Sequence, residues 1–316
     1  MRVKAAGGSA KIGHVRCCRV SNVDAGPIAR QAFEPLEHDV SKSCAEEALQ
    51  GYARFQKRRI AVGLAQFVVK QYIKVLASSA KKHNGFQTSA YSQCLEPVNS
   101  IISKHETTRE GICEATSAKW IAMHANDSSL FNWIYDDNGK INKAAVVNLA
   151  FNQIHGETLR DPSGKTDQDR ASEIYLFSQG LMRRTKTVQG VGGLRQERTI
   201  MEGNKSSGNV GVQLSNGLVS SKITAGFYVM IGVYGPGGGH CMAAFIGQDV
   251  CLFDPNFGEY WFPNRGDFVK WFQSAFWLPY RVGRLDARFT LREYGVRMKF
   301  VTKQGEMNGK RIGGKY

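Results

Sequence analysis

From Arg59 the chain takes on a helical hydrophobic period. Ile60, Leu64, Phe67, Val68, Tyr72, Val75 and Leu76 recur at three-, four- and seven-residue steps, with Gln66, Lys70, Gln71 and Lys74 on the other side. That spacing predicts an amphipathic helix packed on a core, and its lysines also suit a membrane surface. A second helix is predicted from about Gly111, with Ile112, Ala115, Trp120, Ile121 and Met123 as its apolar face, fading at Asn126-Asp127. A third runs from about Asn142 to Gln153, after the turn Asp137-Asn138-Gly139. Residues 187–220 are rich in Gly, Ser and Asn and read as a mobile loop or short strands. Beyond them the period becomes strand-like: Phe227 to Tyr234, His240 to Ile246 and Val250 to Phe253 are β-rich runs bounded by Gly and Pro. A helix over Asp267–Phe276 and strand candidates within 289–302 complete the pattern. Helices first and strands later predict an α+β fold.

The 316 residues suffice for a core without disulfides or a structural metal. Residues 1–58 show no sustained period and are expected to form a poorly ordered N-terminal segment, with 59–316 as one folded domain. With 42% hydrophobic and 22% charged residues, the composition excludes a wholly disordered, collagenous or coiled-coil chain. No run of 18 apolar residues suggests a membrane span. Met1 to Ala10 has no apolar h-region, so a Sec-type signal is not expected. The 42 Lys and Arg against 27 Asp and Glu leave a net +15, concentrated at the ends. Residues 1–90 carry 15 basic and 6 acidic side chains, 281–316 carry 10 and 3, and the middle is near neutral. Basic ends of this kind predict attraction to an anionic membrane face, with solubility as the plainer reading. No nucleic-acid-binding motif is present, so no nucleic-acid partner is expected.

Seven cysteines, at 17, 18, 44, 94, 113, 241 and 251, are odd in number and widely spaced, which is no disulfide framework. Free thiols in a reducing compartment are expected instead. Cys17-Cys18, flanked by Arg16 and Arg19, has the composition of an acylation site. The cluster Gly190-Val191-Gly192-Gly193 lacks a following helix, and Gly235-Pro236-Gly237-Gly238-Gly239 leads into a strand, so neither is a phosphate cradle. The second cluster reads as a flexible loop that delivers His240.

Cys113 lies at the start of a predicted helix, where unpaired N–H groups and the helix dipole favour a thiolate. His240 opens one predicted strand and Asp254 closes the next, in positions symmetric about Gly247. A connecting loop of odd length puts both on one face of an antiparallel pair, opposed or diagonal, and an even one separates them. An Asp beside a His fixes its tautomer and stabilises the imidazolium. A zinc site from His240, Cys241 and Cys251 is the rival, but successive strand residues face opposite ways, so no metal or cofactor is expected. Trp120, Phe131, Trp133, Trp271 and Trp277 read as core aromatics, Asn256 as a turn residue and Glu259 as a solvated carboxylate, with lining of the cleft as the other reading for these last two.

A helix-borne Cys followed by a strand-borne His and an Asp is the papain-type order, and the local sequence is more specific. Gly111-Ile112-Cys113-Glu114-Ala115 with Ala118-x-Trp120-Ile121, then Ser129-Leu130-Phe131, resembles the active-site helix of the YopT-like family of bacterial effector cysteine proteases. Phe253-Asp254-Pro255-Asn256-Phe257-Gly258-Glu259, followed by Lys270-Trp271-Phe272 and Ser274-x-Phe276-Trp277, is similar to that family's region around the acidic residue. The resemblance spans roughly 85 to 300. It implies that 59–316 is a papain-like protease domain behind a secretion or targeting segment at 1–58, with Cys113 as nucleophile, His240 as base and acid, and Asp254 as orienter. Gln93, 20 residues before Cys113, stands where the family has its oxyanion-hole residue, with Gln87 nearby as the other choice.

The resemblance further implies a type III-secreted effector acting on a host protein in the host cytoplasm or at the inner membrane face, with a secretion chaperone before export. The family's substrates include prenylated Rho-family GTPases, cut near the C-terminus. Their polybasic tails suit a strongly basic enzyme only if its cleft is locally acidic. The same triad also serves acyl transfer or glutamine deamidation, and a non-catalytic module that binds membranes or GTPases is the alternative from another class.

Overall fold

The computed structural model describes residues 66–296, apart from 162–166, 191–192, 198, 221 and 224. The 1–58 segment, Cys17, Cys18 and the start of the first predicted helix therefore lie outside the described residues. Helix α1 covers 66–82. Its buried stripe is Ile73, Leu76 and Ala80, with Val69 and Tyr72 partly covered, whereas Phe67, Val68 and Val75 are more than half exposed. The expected stripe was therefore out of phase by about one position. Two adjacent apolar stripes run along this helix, and periodicity does not say which one meets the core.

Strand β1 (Phe86–Ser89) follows, then helices α2 (Val98–Ile102), α3 (Cys113–His124), α4 (Leu130–Ile134), α5 (Lys143–Thr158) and α6 (Gln168–Ser178). The chain next forms β2 (Leu181–Arg183), β3 (Lys186–Gly190), β4 (Gly193–Glu197), β5 (Met201–Asn204) and α7 (Val210–Leu218). Then come β6 (Phe227–Gly235), β7 (Gly238–Ile246), β8 (Val250–Asp254) and β9 (Gly258–Phe262). The last elements are α8 (Arg265–Trp271), a π-turn (Phe272–Phe276), α9 (Leu278–Val282) and β10 (Arg288–Val296). The antiparallel sheet runs β1-β9-β8-β7-β6-β10-β2, with β5 also on β10, and β3 and β4 pair as a separate hairpin.

The expected α+β class holds, but the separation into helices first and strands later does not. Strand β1 lies between α1 and the other helices yet pairs with β9, and α7 lies inside the stretch expected to be a mobile loop or short strands. Asn209 caps α7 by accepting from Val212 N at 3.2 Å. Its glycines face neighbours at close range. A Cβ at Gly211 would overlap the Trp277 indole, and one at Gly217 would overlap Met201 Sδ.

Alternation along the strands divides the core in two. Val229, Ile231 and Val233 of β6 and Met242, Ala244 and Ile246 of β7 face a layer formed by α1, α7, α8, the π-turn and α9. Tyr228 and Met230 of β6 and Cys241 and Ala243 of β7 face α2 to α6. Ser117 Oγ donates to Cys241 O at 3.2 Å and ties α3 to β7. The Gly-Pro-Gly-Gly-Gly cluster is a tight hairpin and not a flexible loop: Gly235 pairs with Gly238, leaving Pro236 and Gly237 as the turn. Gly237 N donates to Arg284 O at 3.1 Å, and a Cβ there would overlap the Gly283 carbonyl. The packing of the turn against this loop fixes the strand end from which His240 projects.

Trp271 is fully buried among Tyr260, Phe262, Phe268 and Phe276 and donates from Nε1 to Leu76 O at 3.3 Å. Trp271→Ala should lower unfolding stability by ~3–5 kcal/mol in urea titrations followed by circular dichroism. A loss below ~1 kcal/mol would contradict this account of the core beneath α1, α7, α8 and α9.

Candidate active site

Gly111 at φ 130° turns the chain into α3, a conformation that favours glycine. The helix start has no side-chain cap of its own. Two glutamines from elsewhere in the chain satisfy its backbone instead: Ile112 N donates to Gln93 Oε1 at 2.9 Å, and Ala115 N to Gln153 Oε1 at 3.2 Å. Cys113 is the first residue of the helix, and it lines a surface cleft together with Gly239, His240 and Cys241.

The β7–β8 register, Ile246 with Val250 and Ala243 with Phe253, leaves a three-residue turn. The loop is therefore odd, and His240 and Asp254 share a face as diagonal neighbours. His240 Nε2 donates to Asp254 Oδ1 at 2.9 Å, and both side chains are fully buried. The other ring nitrogen is left for Cys113, whose side chain is hydrogen-bonded to His240. Alternation puts His240 and Asp254 on the face opposite α3. Cys113 reaches the imidazole only because it stands at the helix start and His240 near the strand end.

Burial by itself would push the His240 imidazole towards neutrality. The charge of Asp254 and its hydrogen bond, followed by the hydrogen bond and charge of Cys113, outweigh burial and raise its pKa to about 10. Asp254 is itself held from two further sides. Asn256 N donates to Oδ1 at 2.8 Å, and Tyr280 Oη donates to Oδ2. The Tyr280 ring also stacks on His240, with centroids 5.5 Å apart and planes at 25°.

Gln93 is buried, and its side chain links both halves of the site. Its Oε1 takes the Ile112 N–H, its Nε2 donates to Asn256 Oδ1 at 2.8 Å, and its own N donates to Pro255 O at 2.7 Å. One amide N–H of Gln93 is thus committed to Asn256, and an amide carries two. Gln87 is placed elsewhere, donating to Phe257 O and Tyr260 Oη at 3.1 Å each.

Burial pushes the Cys241 and Cys251 thiols well up, which makes them poor nucleophiles. Glu259 is not a solvated carboxylate, since it accepts from Trp120 Nε1 and Thr88 Oγ1. Asn256 is more than a turn residue, because it connects Asp254 to Gln93. Trp120, Trp271 and Trp277 are buried, while Phe131 and Trp133 are partly so. Sequence reasoning missed Tyr280 and Gln153. Neither carries a local motif, and both reach the site only through the packing of a helix.

Comparisons with known proteins bear on this geometry. Residues 77–296 match the Peptidase_C58 family, described as Yersinia/Haemophilus virulence surface antigen. The chain is 30% identical over 214 residues to "Protein adenylyltransferase and cysteine protease IbpA" of Histophilus somni (strain 2336), covering 66% of this chain and 5% of that protein. It is 28% identical over 218 residues to "Cysteine protease YopT" of Yersinia pestis, covering 68% of this chain and 65% of that one. The chain thus spans less than two thirds of the curated relatives it matches. Among solved structures, Pseudomonas avirulence protein AvrPphB aligns with a TM-score of 0.41 at 16% identity, over 61% of this chain and 95% of that one. The YopT domain of the Pasteurella multocida PfhB2 toxin aligns with a TM-score of 0.30 at 25% identity, over 65% and 92%. With the family match covering well over half of its length, the chain belongs to the Peptidase_C58 family of YopT-like proteins.

Proposed function

We propose that this chain is a cysteine endopeptidase that cuts a host protein. The observation that carries the reading is the buried His240, bonded to Asp254 on one side and to Cys113 on the other. An imidazolium beside a thiol at a helix N-terminus favours the thiolate. In the proposed reaction the Cys113 thiolate attacks a peptide carbonyl carbon. Gln93 Nε2 and the Cys113 backbone N–H take the oxyanion. His240 then gives its proton to the leaving amine, which departs as the C–N bond breaks and the acyl thioester remains. Water, deprotonated by His240, attacks the thioester and releases the acid, and the proton returns the site to its starting state. Asp254, with Tyr280 and Asn256, holds the ring throughout.

The family's description and its protease members support a virulence effector working inside a host cell. The cleft lining supports a substrate segment that carries basic residues. Glu110 and Glu157 line the cleft beside Cys113, although the whole chain carries a net +15. A prenylated Rho-family GTPase with a polybasic tail fits that lining, which meets the condition set by the basic composition. The exposed Phe67, Val68 and Val75 of α1, interleaved with exposed Lys70 and Lys74, support contact with an anionic membrane.

Cys113→Ala, His240→Ala and Asp254→Ala should each abolish proteolysis in folded protein, whereas Gln93→Ala should keep activity reduced ~10²–10³-fold. Mapping new N-termini in host lysate treated with wild type and Cys113→Ala tests the reaction itself. Fragments in the wild-type arm alone support it, and a one-dalton shift without fragments would make the enzyme a deamidase.

The pH–rate profile follows from the His240 shift. Its pKa is raised, so the imidazolium persists and kcat/KM should hold until it falls near pH 10. Asp254→Asn removes the leading upward influence and should move that fall towards the ordinary ~6.5 of histidine.

Sedimentation with vesicles should show binding that needs phosphatidylserine and weakens with salt. Binding that ignores both would leave the basic charge to solubility.

A further inference from the structure

A charge cluster lies behind Cys113 that the chemistry above does not use. Arg292 stands in β10 with 1% exposure. Its Nη1 donates to Glu114 Oε1 at 2.9 Å and to Asp169 Oδ1, and its Nη2 donates to Glu114 Oε2 at 3.1 Å. Ser172 Oγ donates to the same Glu114 Oε1 at 2.7 Å, and Arg292 Nη2 also reaches Cys241 Sγ at 3.7 Å. One guanidinium therefore joins β10, α3 and α6. It contacts the residue that follows Cys113 and the residue that follows His240.

Glu114 occupies the first turn of α3, where the helix dipole favours any anion, including the thiolate of Cys113. Two anions at adjacent positions compete, and a carboxylate a few ångströms from a thiol disfavours the thiolate. Bidentate pairing to Arg292 answers both problems, since it neutralises the carboxylate and fixes its position. Stability alone is a weak reason for such a cluster, because apolar residues of similar volume serve a core as well or better. The remaining titratable groups around Cys113 are His240 and Cys241 of β7, Tyr234 of β6, Glu157 of α5, Asp169 of α6 and Glu110 in the loop before α3. Three of these six are carboxylic acids, which makes a compensating cation necessary for a thiolate.

We propose that Arg292 is a positioning residue for the Cys113–His240 pair: by clamping Glu114 and Asp169 it offsets one of their two charges beside the nucleophile and sets the first turn of α3 against β7. This rests on the reading of Cys113 and His240 as nucleophile and base.

The test is the pH dependence of Cys113 alkylation by iodoacetamide in the full chain, read by mass spectrometry on the tryptic peptide 110–119. Glu114→Gln keeps an oxygen for Arg292 and Ser172 but removes the adjacent charge, and should lower the alkylation midpoint by about one pH unit. Arg292→Met leaves two carboxylates uncompensated and should raise it by about as much, with kcat reduced more than KM is raised. The double variant should return close to wild type, and Arg292→Lys should lie between wild type and Arg292→Met. If Arg292→Met does not fold, Glu114→Gln decides alone. A folded Glu114→Gln protein with the wild-type midpoint would overturn the proposal and leave Arg292 a purely structural role. His240→Ala, run in parallel, separates the two levels: a wild-type midpoint near ~8.5 that His240→Ala does not change would overturn the reading of the site, and the proposal with it.

Discussion

A buried imidazole and a buried carboxylate 2.9 Å apart form the constraint on which the rest of this molecule depends. Neither ion would survive alone in that environment, because burying an unpaired charge costs several kcal/mol. Together they are stable only while the geometry is good and the remaining lone pairs are satisfied. Tyr280 and the Asn256 backbone supply that satisfaction. The pair also requires a fixed strand register. A one-residue slip between β7 and β8 would put His240 and Asp254 on opposite faces of the sheet. The three-residue turn and the aromatic core behind it prevent that slip.

The site is built where the two halves of the core come together. His240, Asp254 and Tyr280 belong to the side covered by α1, α7, α8 and α9, and Cys113 to the side covered by α2 to α6. They meet at the end of the sheet, where the glycine hairpin of β6 and β7 leaves room for the start of α3. Gln93 and Asn256 bridge the two sides with direct hydrogen bonds, so Gln93, the start of α3 and Asp254 share one chain of contacts. On the other side of Cys113, Arg292 connects α3 and α6 to the sheet.

Much of this was legible in the sequence, for physical reasons that differ by residue. The strands β6 to β8 announced themselves because burial on both faces demands continuous apolar runs between turns. The parity argument for His240 and Asp254 needed only the turn length. Helix α3 was visible through its apolar period, and with it the place of Cys113 at the helix start. The stretch holding α7 was misleading, because Gly211 and Gly217 look like loop residues but are small so that Trp277 and Met201 can approach. The stripe of α1 was misphased because Phe67, Val68 and Val75 are apolar without being covered. Tyr280, Gln153 and Arg292 act through contacts at sequence separations of 26, 38 and 178 residues. No local pattern encodes such contacts.

The central claim is that Asp254 and Cys113 keep His240 charged in spite of its burial. Nitrogen chemical shifts of the His240 ring, followed by NMR from pH 5 to pH 11, measure that charge without reference to any substrate. The account predicts two ring N–H groups at neutral pH and a titration near about 10. A neutral single tautomer at pH 7, or a titration close to ~6.5, would contradict it.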